Sequence, residues 1–192
     1  GGIFQEKIAL PPLNKDFRSA ILDACAVDWS GISPAIFGSM FQSVRDAETR
    51  RALGEHYTSE ENILKTLNPL FLDELRDDLA AAIARDTTQK KANSLNKLWD
   101  RLGDIRFIDP ACGCGNFIIV AYRQLRAIEL QVMEALHDLK QVAGQETLGG
   151  DLVRQIRVTL DSFYGIEIDE WPARIADTAL FIGTLAHGGV HL

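Results

Sequence analysis

The chain has 192 residues, 46% of them hydrophobic and 24% charged, with a formal net charge of −7. That length supports one good hydrophobic core with a small helical annex, and no apolar run is long enough to cross a bilayer. The acidic balance argues against a strong nucleic-acid-binding face within the chain, and three cysteines, an odd number, exclude a disulfide framework and point to a reducing cytoplasm.

The amino terminus carries no charged leader and no cleavable hydrophobic segment, and the chain reads as an excised piece of a longer protein. Phe17 to Ala26 has the spacing of a short helix, and a second is predicted from Pro34 to Ala52 until Gly54 breaks it. The basic pairs Arg50-Arg51 and Lys90-Lys91 have acidic neighbours and read as solvated helix surface. Thr58, followed three residues later by Glu61, is a capping box, with Ile63, Leu64, Leu67, Leu70 and Phe71 behind it at helical spacing. This helix is predicted to run to about Arg85, with a kink at Asn68-Pro69. Lys90 to Leu102 is predicted as a further helix, ended by Gly103.

The most informative stretch follows. An apolar strand, Ile105 to Ile108, runs into Asp109-Pro110, then a Gly113-Cys114-Gly115 turn, then a helix from Asn116 to about Lys140. That order builds a cradle at the carboxyl end of a parallel strand, where α/β sheets bind ligands. Glycine lets the backbone turn sharply and approach a ligand closely, and the N–H groups of the following helix favour an anionic group. A dinucleotide fingerprint asks for glycine or alanine three residues after the second glycine. Ile118 stands there, which disfavours a nicotinamide oxidoreductase. After a loop, Gly144 to Gly150, and a short helix, Leu152 to Leu160, a second strand is predicted from Phe163 to Ile168. Glu167 near its tip can accept two hydrogen bonds from a ribose diol, at roughly 1.5–3 kcal/mol each. Asp169 suits a helix cap equally well, ahead of a last helix from Pro172 to His187. A simple dinucleotide unit places its acid about 20 residues after the turn, whereas here the gap is about fifty. Cys112-x-Cys114 without a matching second pair is a poor zinc signal, and His187 and His191, which could bring two imidazoles together, are separated by glycines that suggest a loose tail.

Asp109-Pro-Ala-Cys-Gly-Cys-Gly-Asn-Phe117 resembles motif I of class I S-adenosylmethionine (SAM)-dependent methyltransferases, the DNA adenine-N6 enzymes in particular. Phe163-Tyr-Gly-Ile-Glu-Ile-Asp169 is similar to their motif II. Gly54-Glu-His-Tyr-Thr-Ser-Glu-Glu-Asn-Ile-Leu64 is similar to motif X, with Ser59 in place of the commoner proline. The three occur in the order X, I, II of the adenine-N6 class. The wider run from Arg50 to Leu64, and Asp28 to Gln42 before it, resemble the methyltransferase and spacer of MmeI-like (type IIG/IIL) restriction-modification enzymes.

The resemblance implies an α/β fold: an incomplete Rossmann-like class I methyltransferase sheet preceded by a helical segment. It implies a helical spacer over residues 1–53 and the SAM-binding first part of a methyltransferase over residues 54–192. Asp109, Ala111, Gly113, Gly115 and Phe117 would line the methionine side of the cofactor, with Tyr57 and Thr58 closing that end. Glu167 would hold the ribose and Ile168 would pack on the adenine. The intact protein would methylate adenine N6 in double-stranded DNA, gripped mainly by regions elsewhere, and would also cut DNA with a separate nuclease domain. Motif IV, Asp/Asn-Pro-Pro-Tyr/Phe, is missing; Asn68-Pro-Leu-Phe71 is its nearest match and reads as a helix kink. The segment therefore supplies no catalytic residue and is expected to be inactive alone. A methyltransferase acting on RNA, protein or a small molecule, and a non-catalytic scaffold, are the alternative readings.

Overall fold

The computed structural model describes residues 14–28, 58–142 and 156–187. The expected helix from Pro34 to Ala52, the loop from Gly144 to Gly150, Arg50-Arg51, Tyr57 and nearly all of the spacer-like run lie outside them. Helix α1 spans Lys15–Ala26, capped by Asn14 Oδ1, which accepts the Phe17 N–H at 2.8 Å.

Helix α2 (Glu60–Leu67) buries Ile63 and Leu67. Its cap differs from the expected one. The cap is Ser59, one residue after Thr58: its backbone is extended and its hydroxyl accepts the Asn62 N–H at 3.4 Å. The helix begins one residue later than the Thr58 frame requires, so Glu61 is released from a capping box and pairs with Lys65 at 2.8 Å. The kink at Asn68-Pro69 is a π turn, Asn68–Leu72, in which the Asp73 N–H reaches back to the Asn68 carbonyl. Proline has no N–H to donate and its ring crowds the preceding turn, so the ladder widens there. Asn68 Oδ1 accepts from Arg76 Nη1 at 2.9 Å, and Nη2 of the same guanidinium donates to Gln124 Oε1 at 2.9 Å. Helix α3 (Asp73–Ile83) continues, burying Leu75, Leu79 and Ala82.

Helix α4 (Thr88–Asp104) is capped by Thr87 and buries Leu95, Leu98, Trp99 and Leu102. Gly103 does not end it, contrary to expectation. A Cβ at that position would lie 2.9 Å from Arg157 Cβ, so this glycine serves close packing instead of a stop. Strand β1 (Phe107–Asp109) leads through the glycine turn to helix α5 (Asn116–Val142), the longest element. Strand β2 (Phe163–Gly165) pairs with β1 in parallel, Phe107 opposite Phe163 and Asp109 opposite Gly165. Both strands are shorter than expected. Phe107 and Phe163 stack at 5.9 Å, and their neighbours Phe71 and Tyr122 close on them at 6.3 and 5.4 Å, which buries this face of the pair. Ile108 and Tyr164 stand exposed on the other face.

The short helix expected over residues 152–160 is not formed in its described part. Residues 156–159 are non-helical and enter a 3-10 turn, Leu160–Ser162. The reason is a buried carboxylate. Glu129 Oε1 accepts the N–H groups of Arg157 at 2.7 Å and Val158 at 3.3 Å. It also takes Trp99 Nε1 at 2.8 Å, while Oε2 pairs with Arg126. Arg126 and Glu129 are 2% and 0% exposed, a pair sealed among α4, α5 and the entry to β2. Helix α6 (Glu170–His187) closes the described fold against α5. Asp169 caps it, Oδ1 accepting the Trp171 N–H at 3.1 Å. Among the described residues no helix is long and apolar enough to cross a membrane.

Candidate cofactor cradle

The site begins where β1 ends. Asp109 Oδ1 accepts the Ala111 N–H at 3.1 Å and starts the turn. Gly113 (φ +52°) and Gly115 (φ +80°) then adopt left-handed conformations that favour glycine. The turn closes through Gly115 N–H to Cys112 O at 2.8 Å, and α5 opens with Ile119 N–H to Gly115 O at 2.9 Å. Space differs at the two glycines. A Cβ on Gly113 would meet nothing within 4 Å, whereas one on Gly115 would lie 2.8 Å from Ala176 Cβ of α6.

The segment after β2 is laced to this turn. Ile166 N–H donates to Asp109 O at 2.9 Å, and Cys112 N–H donates to Ile166 O at 3.0 Å. Glu167 is thereby brought beside the glycines, where its Oε2 accepts the Gly113 N–H at 2.9 Å. Its Oε1 accepts the Asp169 N–H at 2.9 Å. The structure thus gathers Asp109, Ala111, Gly113, Gly115 and Glu167 at one end of the strand pair. Phe117 packs part-buried against the hydrophobic core, below the turn. Ile168 follows Glu167 and is 95% exposed. Thr58 is half-buried just ahead of the α2 cap, and Glu60 of that helix pairs with Arg123 of α5 at 3.1 Å.

Two residues to which the sequence analysis assigns no role in the site shape it. Gly165 has no room for a side chain, since a Cβ would sit 2.7 Å from Cys112 Sγ. A glycine inside a strand pattern is the available signal for such an approach. Cys112 fills that space, and burial first, then the Asp109 and Glu167 carboxylates, push its thiol pKa up. The thiol therefore remains protonated and packs as a small apolar group. Chemically the cradle offers carboxylate acceptors at one strand end, the N–H groups of Ala111, Cys112, Gly113 and Gly115 being already bonded within it. That suits a ligand bearing hydroxyls and a positive centre better than a pyrophosphate, which the two acids would repel.

Comparisons with known proteins agree with this geometry. The chain is 40% identical over 156 residues to DNA methyltransferase A of Bacillus subtilis, a match covering 81% of this chain and 16% of that protein. It is 29% identical over 87 residues to the adenine-specific methyltransferase PglX of Streptomyces coelicolor, covering 45% of this chain and 6% of that one. The type IIL restriction-modification enzyme MmeI, solved in complex with DNA, is similar in structure with a TM-score of 0.78 and 45% identity, over 94% of this chain and 23% of that chain. The chain thus spans less than a quarter of each of these proteins. Residues 85–187, more than half of the chain and including the whole strand–turn–helix and the Glu167 segment, match the family described as MmeI, DNA-methyltransferase domain, and to that family the chain belongs.

Proposed function

We propose that the chain is the cofactor-binding part of a DNA methyltransferase that uses SAM to methylate adenine N6 in double-stranded DNA, within a combined restriction-modification enzyme of the cytoplasm. The two parallel strands with their helices are then the first strands of a Rossmann-like class I sheet, begun near residue 54 after a helical spacer over residues 1–53. One observation carries the reading: the Glu167 carboxylate lies beside the positive-φ glycine turn, at hydrogen-bond distance from Gly113.

The residues present fit SAM. A carboxylate offers about four acceptor positions, and the Gly113 and Asp169 amides use two of those on Glu167, leaving capacity for a ribose diol. The space over Gly113 admits a ligand against the backbone. Asn116 Oδ1, in the first turn of α5, is buried with no hydrogen-bond partner among the described residues, an acceptor suited to an ammonium. Asp109, Ala111, Gly113, Gly115 and Phe117 would form the methionine side, with Tyr57 and Thr58 at its end, and Ile168 would cover the adenine. When bound, SAM supplies a methyl group on a sulfonium that is already strongly electrophilic. The work of this segment is to orient that group and hold its charge beside carboxylates. The target base has to be flipped from the duplex and held by parts of the enzyme beyond this chain. The similarity to MmeI and PglX supports the choice of adenine in DNA.

Calorimetric titration of the chain with SAM tests the proposal, with NADH as comparator and Glu167→Ala as control. Saturable SAM binding is expected, weakened in the variant by at least about tenfold, the equivalent of one charged hydrogen bond. No SAM binding by the folded, intact enzyme would overturn the reading.

A further inference from the structure

The glycine turn and the Glu167 carboxylate are joined more tightly than a ribose contact alone requires. Glu167 binds Gly113 through one oxygen and Asp169 through the other, both at 2.9 Å. The backbone bonds between Ile166 and Asp109 and between Cys112 and Ile166 flank that tie. Beside that tie, the Cys112–Gly113 peptide is held by the neutral turn bond from Gly115 N–H to Cys112 O at 2.8 Å, and Gly113 O takes a long contact from Cys112 Sγ at 3.7 Å. Gly113 is a glycine at φ +52°, free to visit many other conformations, and the space where a side chain would pack is open. Asp109, the other acid of the turn, directs Oδ1 to Ala111. A charge-assisted bond to a half-buried carboxylate is therefore the strongest restraint on the Gly113 peptide.

We propose that Glu167 is a positioning residue as well as a cofactor ligand: it holds the glycine turn bent before any cofactor arrives, and it couples the nucleoside end of the site to the methionine end. Its ligand role rests on the SAM reading above; the bracing of the turn does not. A turn already in its binding shape spares the ligand the entropy of ordering it, so affinity gained this way adds to that of the ribose contact.

Hydrogen–deuterium exchange with residue-level readout on the ligand-free full chain tests the bracing, using wild type, Glu167→Gln and Glu167→Ala. In the near-isosteric Gln variant an NH2 group, which cannot accept, replaces one oxygen. Either Gly113 or Asp169 then loses its acceptor and exchanges about tenfold faster or more; in the Ala variant both do. The Ile119 amide, bonded to Gly115 O at 2.9 Å, stays protected and shows that α5 is intact. Undiminished protection of Gly113 and Asp169 in both variants would overturn the proposal. For the coupling, a SAM analogue lacking both ribose hydroxyls should bind the Ala variant about tenfold more weakly than wild type. Equal affinity in the two proteins would show that Glu167 acts on the ribose alone. If neither protein binds SAM while Gly113 exchange still responds, the cofactor reading fails and the bracing stands.

Discussion

Alanine at the two turn glycines should have very different effects, because the two positions share a backbone type and differ in surroundings. At Gly115, holding alanine at φ +80° costs about 1–2 kcal/mol. Its Cβ would also sit 2.8 Å from Ala176 Cβ and 3.2 Å from Ala176 Cα, inside a helix packed on α5. Overpacking of that kind costs about 1–3 kcal/mol. The stiffer unfolded chain returns about 0.4–1 kcal/mol, so Gly115→Ala should destabilise by about 2–4 kcal/mol. At Gly113 only the backbone cost applies, since nothing lies within 4 Å of the new methyl. The net loss there should be about 0.5–1 kcal/mol. Urea unfolding followed by circular dichroism, compared at constant m, measures both. Repeating Gly115→Ala in an Ala176→Gly background isolates the clash, and the Gly115 penalty should shrink there by about 1 kcal/mol or more. Equal penalties at the two glycines, or a Gly115 penalty indifferent to Ala176, would refute the packing argument. Gly113→Ala, the milder change for folding, places a methyl in the space assigned to the cofactor and should weaken SAM binding well beyond its effect on stability.

Three further outcomes are expected. Glu129→Gln leaves Arg126 buried without its anion and should cost about 3–5 kcal/mol in chemical denaturation; adding Arg126→Met should recover most of it, and a persistent loss would place the cost elsewhere. Trp99→Phe keeps a ring under Arg157 but removes the donor to Glu129, so it should cost about 1–3 kcal/mol by the same assay. Cys112 should be alkylated by iodoacetamide more slowly than the exposed Cys25, as read by peptide mass mapping. Its raised pKa means less thiolate at a given pH, so its rate curve should be displaced to higher pH than that of an ordinary thiol; labelling at the Cys25 rate would contradict the packed, protonated thiol.

What is legible in the sequence is what local chemistry dictates. Two glycines between an apolar strand and Asn116 leave few alternatives to a tight turn, and Pro69 announces a break in its helix. The α2 cap is off by one because Thr58 and Ser59 are adjacent hydroxyls and only the backbone path decides between them. Gly103 reads as a stop, yet its meaning lies in Arg157, which packs on it from far along the chain. Arg126 and Glu129 look like a solvated pair on α5, and the sequence holds no sign that Trp99 and the Arg157 and Val158 amides converge on that carboxylate. The same non-local geometry hides the bond from Gly113 to Glu167: the strand–turn and strand-tip patterns mark both residues as candidates but not that one holds the other.

The π turn has a consequence for the phase of its helix. Side chains three or four apart share a helix face, but the buried leucines Leu67 and Leu72 are five apart. In an uninterrupted α-helix the second would swing away from the first. The wider turn absorbs the surplus residue, so the stripe of Ile63 and Leu67 continues into Leu72, Leu75 and Leu79 against one core. Helices α2 and α3 are thus a single amphipathic rod with one phase slip, and the proline that interrupts its ladder is what lets two mismatched halves face the same way.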